Sequence, residues 1–185
     1  MSRIRICGGK WRSRLVDVID VGGLRPTPDR VRETLFNWLG QDMSGLVCLD
    51  LFAGSGLLGF EAASRGAARV TMIERDGRAY AALRRAADAL GGEGLELRRA
   101  DALEFLAAHG KAASAARDKG YDLIFLDPPY HQGWLERVEP HLAAIAAEGA
   151  RVYVEAEQPV PALGDWRCVR RGQAGQVHYH LLERS

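Results

Sequence analysis

The chain of 185 residues contains no apolar run that approaches the roughly 18 residues needed to span a bilayer. Its N-terminus is polar and lacks the apolar core of a signal peptide. Only three cysteines occur, Cys7, Cys48 and Cys168, and none belongs to a C-x-x-C pair. An odd, scattered set excludes a disulfide framework and is typical of a reducing compartment. These absences predict a cytoplasmic protein with no membrane segment.

The sequence also lacks a set of metal ligands and a long linker. His178 and His180 share one face of an apolar segment, but spacing supplies no third ligand, so we expect no metal. The length suits one domain with a small appendage and leaves no room for a separate DNA-reading domain. We therefore predict an N-terminal appendage over residues 1–24, a main domain over residues 25–185, and a monomer.

A net charge of +1 conceals an uneven distribution. Residues 1–32 hold eight Lys and Arg against three Asp, a net +5, so the remainder carries −4. A basic arm on a mildly acidic body indicates a polyanion-binding element, although a solvated hairpin with outward arginines is the alternative. Trp11 could be a stacking platform or a core residue. The predicted nucleic-acid contacts are Arg3, Arg5, Lys10, Trp11, Arg12, Arg14, Arg25, Thr27 and Arg30.

Residues 1–21 alternate polar and apolar side chains around Gly8-Gly9, which predicts a β-hairpin. A helix should follow, with Thr27 as its cap and Pro28 and Asp29 in its first turn. From residue 46 onward strands and helices alternate, as in a parallel sheet covered on both faces. Predicted strands lie near 46–52, 69–74, 95–100, 121–126 and 151–156, and helices near 57–65, 77–90, 102–117 and 133–147. Segments 167–171 and 177–182 predict an antiparallel edge hairpin.

A glycine-rich loop follows the first parallel strand. Gly54, Gly56 and Gly59 fit G-x-G-x-x-G, and Glu74 stands where an acid binds ribose hydroxyls, which favours an adenosine-containing cofactor. Asp50 would repel a pyrophosphate but attract the ammonium and sulfonium of S-adenosylmethionine. Asp101 could accept the adenine amine, cap the next helix, or do both. The predicted cofactor-binding residues are Asp50, Phe52, Gly54, Ser55, Gly56, Glu74, Asp101 and Ala102.

The tetrapeptide Asp127-Pro128-Pro129-Tyr130 ends the apolar run 121–126. Neither proline has a backbone N–H, so the turn offers acceptors and almost no donors. An NH2 group on a planar ring would find the Asp127 carboxylate and the Pro128 carbonyl, with the Tyr130 ring able to stack on its face. We therefore predict Asp127, Pro128 and Tyr130 as catalytic residues for an exocyclic amine of a nucleobase. An isolated Pro-Pro pair favours a rigid turn capped by a core aromatic, and the glycine-rich loop upstream reverses that preference here.

In this order, the motifs resemble class I S-adenosylmethionine-dependent methyltransferases that act on exocyclic amines. The narrower resemblance is to the RsmD-type ribosomal RNA guanine-N2 methyltransferases, and it runs nearly end to end. It is carried by RIRICGGKWR (3–12), GLRPTPDRVRETLFNWL (23–39), CLDLFAGSGLLGFEAASRGA (48–67), DLIFLDPPY (122–130) and GQVHYHLLER (175–184). Two departures are minor, because Tyr130 stands where that family also has phenylalanine and residues 107–119 look like a local insertion.

The resemblance implies a Rossmann-like α/β fold with a mostly parallel seven-stranded sheet, an antiparallel C-terminal hairpin and a small N-terminal β-hairpin. It also implies S-adenosylmethionine as cofactor and methyl transfer to N2 of a guanine in 16S ribosomal RNA. The substrate would be the small ribosomal subunit or a late assembly intermediate.

Several other functions stay open on the residues alone. An adenine-N6 methyltransferase on RNA or DNA uses nearly the same tetrapeptide as residues 127–130. A protein-glutamine methyltransferase would typically have Asn at position 127, and an NAD-dependent oxidoreductase would leave Asp50 and the tetrapeptide unexplained. The chain could also be a non-catalytic RNA-binding assembly factor on the same scaffold, although the intact Asp50, Glu74 and Asp127 argue against it.

Overall fold

The computed structural model describes residues 2–19, 26–116 and 120–185, and Arg25 lies outside them. The elements in chain order are β1 (Ser2–Arg5), β2 (Leu15–Val18), α1 (Asp29–Leu39), β3 (Val47–Asp50), α2 (Leu57–Ser64), β4 (Arg69–Glu74), α3 (Gly77–Leu90), β5 (Leu95–Arg99), α4 (Ala102–Ala116), β6 (Tyr121–Leu126), α5 (Trp134–Ile145), β7 (Ala146–Ala156), β8 (Ala162–Leu163), β9 (Trp166–Ala174) and β10 (Val177–Arg184). No helix in these ranges is long and apolar enough to cross a membrane.

The main sheet has the order β5-β4-β3-β6-β7-β10-β9-β8. The strands from β5 to β7 are parallel, whereas β10 is inserted antiparallel between β7 and β9. The predicted α/β fold with a mostly parallel sheet and an antiparallel C-terminal hairpin is confirmed. The eighth strand, β8, was not predicted, because two residues paired with the start of β9 leave no periodic signal.

Strand β6 shows how the sequence builds two cores, one on each face of the sheet. Leu123 and Phe125 belong to one buried apolar cluster, while Ile124 and Leu126 belong to the other. Successive side chains of a strand point to opposite faces, so a fully apolar strand needs helices on both sides. Burying each such side chain contributes about 1.5–3 kcal/mol, so this strand is a rigid base for whatever follows it.

The N-terminal hairpin, β1 and β2, is docked on the end of α2. The Trp11 N–H donates to Ser64 Oγ at 2.9 Å, and Ser64 Oγ donates to the Gly8 carbonyl at 2.6 Å. Gly9 has φ +74°, and a Cβ there would lie 1.9 Å from the Ser64 carbonyl oxygen, so only glycine fits. Trp11 is 5% exposed and shares the larger core. The structure thus supports its interpretation as a core residue rather than as a stacking platform.

A buried ion network fastens this hairpin to the main domain. Glu61 Oε1 accepts from Arg32 Nη1 at 2.7 Å and from the Cys7 N–H at 2.6 Å. Its other oxygen, Oε2, is 3.2 Å from Arg65 Nη2. Arg32 also donates to the Arg5 carbonyl at 2.9 Å. We call Arg32, Glu61 and Arg65 the Glu61 network; it joins the hairpin, α1 and α2 through one fully buried carboxylate.

Helix α1 begins at Asp29, one residue after the predicted start at Pro28, and the prediction that Thr27 caps it is wrong. Pro28 occupies the N-cap position, and no side chain caps the helix. The Thr27 hydroxyl instead donates to Glu155 Oε1 at 2.8 Å. A buried carboxylate needs hydrogen-bond donors more than an exposed helix end does, because water can satisfy the helix end.

Candidate active site

The predicted site residues meet along the carboxyl edge of the parallel strands. Asp50 and Glu74 are the last residues of β3 and β4, and Asp127 directly follows β6. Strands β3 and β6 are neighbours, and Asp50 is paired with Phe125 in their register. The glycine loop and the Asp-Pro-Pro-Tyr turn therefore leave adjacent strands on the same side of the sheet. Open α/β sheets bind their ligands at this edge.

Three carboxyl groups, Asp50, Asp127 and Glu155, form what we call the acid cluster. Glu155 lies on β7 and is 3% exposed. Its Oε1 accepts from Thr27 Oγ1 at 2.8 Å and from the Tyr153 hydroxyl at 2.9 Å. Thr27 Oγ1 is also 3.5 Å from Asp127 Oδ2. Within the described residues no ion pair supplies a cation to any of the three.

Burial raises the pKa values of all three carboxyls, and neighbouring negative charge adds to the shift at Asp127 and Asp50. Burial is the main cause of the raised pKa of Asp127, and the charges of Glu155 and Asp50 add to it. Burial also raises the pKa of Glu155, although its hydrogen bonds to Thr27 and Tyr153 oppose that. Such displaced values, in groups that lie near loop ends at the carboxyl edge of the sheet, are typical of a functional site.

Asp50 is attached to the N-terminal end of α2. Its Oδ2 accepts from the Gly59 N–H at 3.1 Å, where the helix dipole also favours negative charge. Burial nevertheless raises the pKa of Asp50 to about 7, and the charge of Glu74 contributes. The second oxygen, Oδ1, is buried and has no hydrogen-bond partner in the described part of the chain. A buried polar atom of this kind normally has a partner, so Oδ1 is suited to bind a cationic donor from a ligand.

Glu74 joins the glycine loop to the residue before α3 through two backbone hydrogen bonds. Its Oε2 accepts from the Gly54 N–H at 2.9 Å, and its Oε1 accepts from the Asp76 N–H at 2.7 Å. Each carboxylate oxygen has a further lone pair for a ribose hydroxyl, so the predicted ribose contact is compatible with both bonds. Gly54 has φ +54°, and a Cβ there would meet nothing closer than the Phe52 carbonyl at 4.0 Å. The loop thus leaves open space directly above its first glycine.

Asp101 does cap the helix that follows it. Its Oδ1 accepts from the Leu103 N–H at 2.9 Å at the start of α4, and Ala102 is buried. The adenine contact stays a prediction, since capping uses one carboxylate oxygen. The aromatic Phe52, the partly exposed Ser55 and the buried Gly56 complete the predicted cofactor residues. The Phe52 ring packs edge-on against Trp134, with the ring centroids 5.2 Å apart.

The turn after β6 is attached to the end of β7. Pro128 is buried, whereas Asp127 and Tyr130 are partly exposed. The His131 N–H donates to Glu157 Oε1 at 3.0 Å, which fastens the turn to the residue after β7. Burial raises the pKa of Tyr130, and the charge of Asp127 adds to it, so the phenol stays neutral. The ring is therefore a neutral surface next to the acid cluster.

The basic residues predicted to bind nucleic acid do not all share one surface. Those on the surface are Arg3, Arg5, Lys10, Arg12, Arg14 and Arg30. Lys10 covers the Trp11 ring with its ammonium 4.7 Å from the centroid. Thr27 is 5% exposed, so the structure places it in the acid cluster rather than on the basic surface.

Sequence reasoning missed Glu155, Tyr153 and the role of Thr27. Glu155 lies inside the predicted strand 151–156, where one carboxyl among apolar residues was the available signal. Its hydrogen-bond partner could not be recognised from the sequence, because Thr27 lies 128 residues away. Glu61 was missed for the same reason, since its partners lie on the hairpin and on α1.

These residues fit S-adenosylmethionine. Its ammonium suits the orphaned Asp50 Oδ1, its ribose suits Glu74, and the open space above Gly54 admits the chain between them. The carboxyls at this edge would be a poor host for a phosphate. No group of His, Cys, Asp or Glu in the described ranges has the geometry of a metal site.

Comparison with known proteins also indicates a methyltransferase, and the similarity covers nearly the whole chain. The family model described as "Conserved hypothetical protein 95" matches residues 4–183. Ribosomal RNA small subunit methyltransferase D of Escherichia coli K12 is 42% identical over 190 aligned positions, which cover 99% of this chain and 91% of that protein. The Haemophilus influenzae protein of the same name is 37% identical, with 97% and 93% covered. A solved putative methyltransferase from Escherichia coli superposes with a TM-score of 0.84 at 41% identity, covering 100% of this chain and 99% of that one.

Proposed function

The chain belongs to the family of ribosomal RNA small subunit methyltransferase D, and we propose that it methylates the exocyclic N2 of a guanine in small-subunit ribosomal RNA, with S-adenosylmethionine as donor. The relatives' names support a methyltransferase of small-subunit ribosomal RNA. The choice of guanine N2 rests on the resemblance of the motifs. The observation that carries the reaction type is the turn at residues 127–130, which offers amine acceptors on the strand next to the glycine loop.

The bound cofactor supplies an electrophilic methyl group on a sulfonium. Asp50 Oδ1 would hold its ammonium, Glu74 its ribose hydroxyls, and Asp101 its adenine amine. The glycine loop is already fixed by the Glu74 hydrogen bonds, so little ordering is required on binding.

The acceptor amine would be oriented by the Asp127 carboxylate and the Pro128 carbonyl. A guanine N2 lone pair is delocalised into the ring and is therefore a weak nucleophile. Hydrogen bonds from both of its N–H groups would hold the nitrogen and favour pyramidal geometry toward the sulfonium. Orientation of this kind converts an encounter into an in-line displacement, which is a large part of catalysis. The methylated amine is strongly acidic, so Asp127 or water can take its proton.

The target base would be swung out of its stack and covered by the Tyr130 ring. The exposed Arg3, Arg5, Lys10, Arg12 and Arg14 would neutralise phosphates around it. Because the docked hairpin is fixed to α2, these cations keep a constant position relative to the active site.

A direct test uses isotopically labelled S-adenosylmethionine, unmodified small ribosomal subunits and nucleoside mass spectrometry. We expect N2-methylguanosine with the wild type and a loss of about 10²–10⁴-fold in rate for Asp127→Ala. Asp165→Ala is the matched control, because that carboxylate lies on the surface 3.7 Å from Arg184. Methylated adenosine as the product would overturn the guanine assignment. Absence of transfer to subunits, naked RNA or DNA would overturn the proposed function.

A further inference from the structure

One hydroxyl lies between two carboxyls of the acid cluster. Thr27 Oγ1 is 2.8 Å from Glu155 Oε1 and 3.5 Å from Asp127 Oδ2. A hydroxyl has one hydrogen and can donate it to only one of the two. The other contact becomes a hydrogen bond only when that second carboxyl carries a proton of its own and donates it to the oxygen of Thr27.

The arrangement around Glu155 indicates which carboxyl carries that proton in the free protein. The Tyr153 hydroxyl donates to the same Oε1 of Glu155 at 2.9 Å. Two O–H donors on a single oxygen suit an ionised carboxylate. Asp127 has no other side-chain donor among the described residues and is therefore the better site for the proton.

The charges around the pair favour a single retained proton. The charge of Asp50, at the end of β3, acts on Asp127; that of Glu74, at the end of β4, acts on Asp50; and that of Glu157, after β7, acts on Tyr130. Tyr153 and Tyr130 stay neutral because burial raises their pKa values. Full ionisation of the pair would thus add charge to a place that is already acidic.

We propose that Asp127 and Glu155 share one proton through the Thr27 hydroxyl, and that Thr27 and Glu155 are positioning residues which present Asp127 to the acceptor amine as an unprotonated acceptor. This inference rests on the proposed function, because it concerns how the same site handles its acceptor. It gives Thr27, at the entry to α1, a role that its sequence context hid.

The proposed cycle returns Asp127 and Glu155 to their starting protonation states. In the free protein Asp127 donates to Thr27 and Thr27 donates to ionised Glu155. When the acceptor amine arrives, the Asp127 proton passes to Thr27 Oγ1 while the Thr27 proton passes to Glu155, so the charge moves to Asp127. Methyl transfer breaks the carbon–sulfur bond, forms the carbon–nitrogen bond and leaves one extra proton on the amine. Asp127 takes that proton, and one proton leaves to water through the exposed side of Asp127 as product departs.

Substitutions of either positioning residue should move the acidic limb of the kcat–pH profile to higher pH. Glu155→Gln cannot take the proton that Asp127 gives up, so Asp127 must lose it to water; if the Glu155 charge acted only by raising the pKa of Asp127, the limb would instead move to lower pH. Thr27→Val removes the hydroxyl through which the proton passes, so the limb should also move to higher pH, with kcat reduced roughly 10- to 100-fold. Thr27→Ser keeps the hydroxyl and should restore most of that loss.

Thr71→Val is the matched control, because Thr71 is a buried threonine of β4 that contacts the Tyr121 hydroxyl at 3.4 Å and no member of the acid cluster. It should leave the limb where it is. Thermal unfolding of every variant separates a shifted limb from a loss of folded protein. Unchanged limbs, or a limb that moves to lower pH in Glu155→Gln, would overturn the shared proton.

A second measurement needs neither cofactor nor RNA. Carbon-13 NMR of side-chain carboxyls in the free protein, assigned with Asp127→Asn and Glu155→Gln, reports the protonation of each group across pH. We expect one protonated carboxyl in the pair at neutral pH and a changed titration of Asp127 in Thr27→Val. Two ionised carboxyls at neutral pH would overturn the inference even if methyl transfer is found. A shared proton without methyl transfer to any substrate would instead count against the proposed function.

Discussion

Two groups of buried carboxyls treat charge in opposite ways. In the Glu61 network one carboxylate, 0% exposed, lies between two guanidinium groups and a backbone N–H. In the acid cluster three carboxyls lie together, and within the described residues their side-chain partners are hydroxyls rather than cations. The residue types and the burial are similar, so the difference lies in whether a compensating cation was buried with the acid.

The two groups therefore serve different purposes: the Glu61 network stabilises the fold, and the acid cluster is suited to act on a ligand. A buried acid with its cations holds elements together, as Glu61 holds the hairpin to α1 and α2. A buried acid without a cation costs folding free energy, and such a cost is retained where the group acts on a ligand. Asp50 shows this most plainly, since one of its oxygens is buried without a partner.

The largest effect should come from removing the one acid on which two cations depend. Glu61→Ala leaves Arg65 buried without its carboxylate and Arg32 with Asp29 alone, and we expect the free energy of unfolding to fall by about 3–5 kcal/mol. The Cys7 N–H, which donates to Glu61, should lose its protection in hydrogen exchange. Glu61→Gln keeps a hydrogen-bond acceptor, so its free energy of unfolding should lie between those of the wild type and Glu61→Ala. If Glu61→Ala lowered the free energy of unfolding by less than about 1 kcal/mol, the claim that the Glu61 network stabilises the fold would be wrong.

The Glu61 network also marks the limit of what could be predicted from the sequence. Strands and helices were predicted because apolar periodicity is local, and the loops at residues 50–59 and 127–130 because their chemistry lies in adjacent residues. Glu61 binds Arg32 and the backbone of Cys7, and Glu155 binds Thr27; these partners lie 29, 54 and 128 residues away, which no local pattern pairs. Thr27 shows the resulting error: its neighbours Pro28 and Asp29 suggested a cap, but a distant carboxylate decided its hydrogen bond.

An intermediate effect, opposite in sign, should follow neutralisation of Asp50. Its pKa is raised to about 7 in the folded protein, above the usual value of 3.8, so the folded state is stabilised at low pH and loses that contribution as pH rises from about 4 to 7. Asp50→Asn keeps an acceptor for the Gly59 N–H but cannot ionise. The raised pKa corresponds to about 4 kcal/mol at 1.36 kcal/mol per pKa unit. The NH2 of Asn takes the place of the unpartnered Oδ1 and offsets part of this gain, so the free protein should be more stable than wild type at pH 8 by about 1–3 kcal/mol.

Thermal unfolding at several pH values, without cofactor, measures this gain directly. The difference between Asp50→Asn and wild type should shrink toward pH 4 and below, where Asp50 is protonated anyway. Calorimetric titration should show weaker binding of S-adenosylmethionine to the same variant. Equal stability at every pH would contradict the argument that Asp50 is buried at a cost.

The smallest effect should come from an ion pair of the same chemistry at the surface. Arg3 Nε and Asp17 Oδ1 are 3.2 Å apart on paired strands β1 and β2, with side chains 69% and 58% exposed. Water and salt screen such a pair, so Asp17→Asn should change the free energy of unfolding by less than about 1 kcal/mol, and less still at high salt. Denaturant unfolding at low and high ionic strength provides the measurement. If Asp17→Asn lowered the free energy of unfolding as much as Glu61→Ala does, ion pairing without burial would be enough to stabilise this fold. The presence or absence of buried cations would then no longer explain why only the acid cluster is free to act on a ligand.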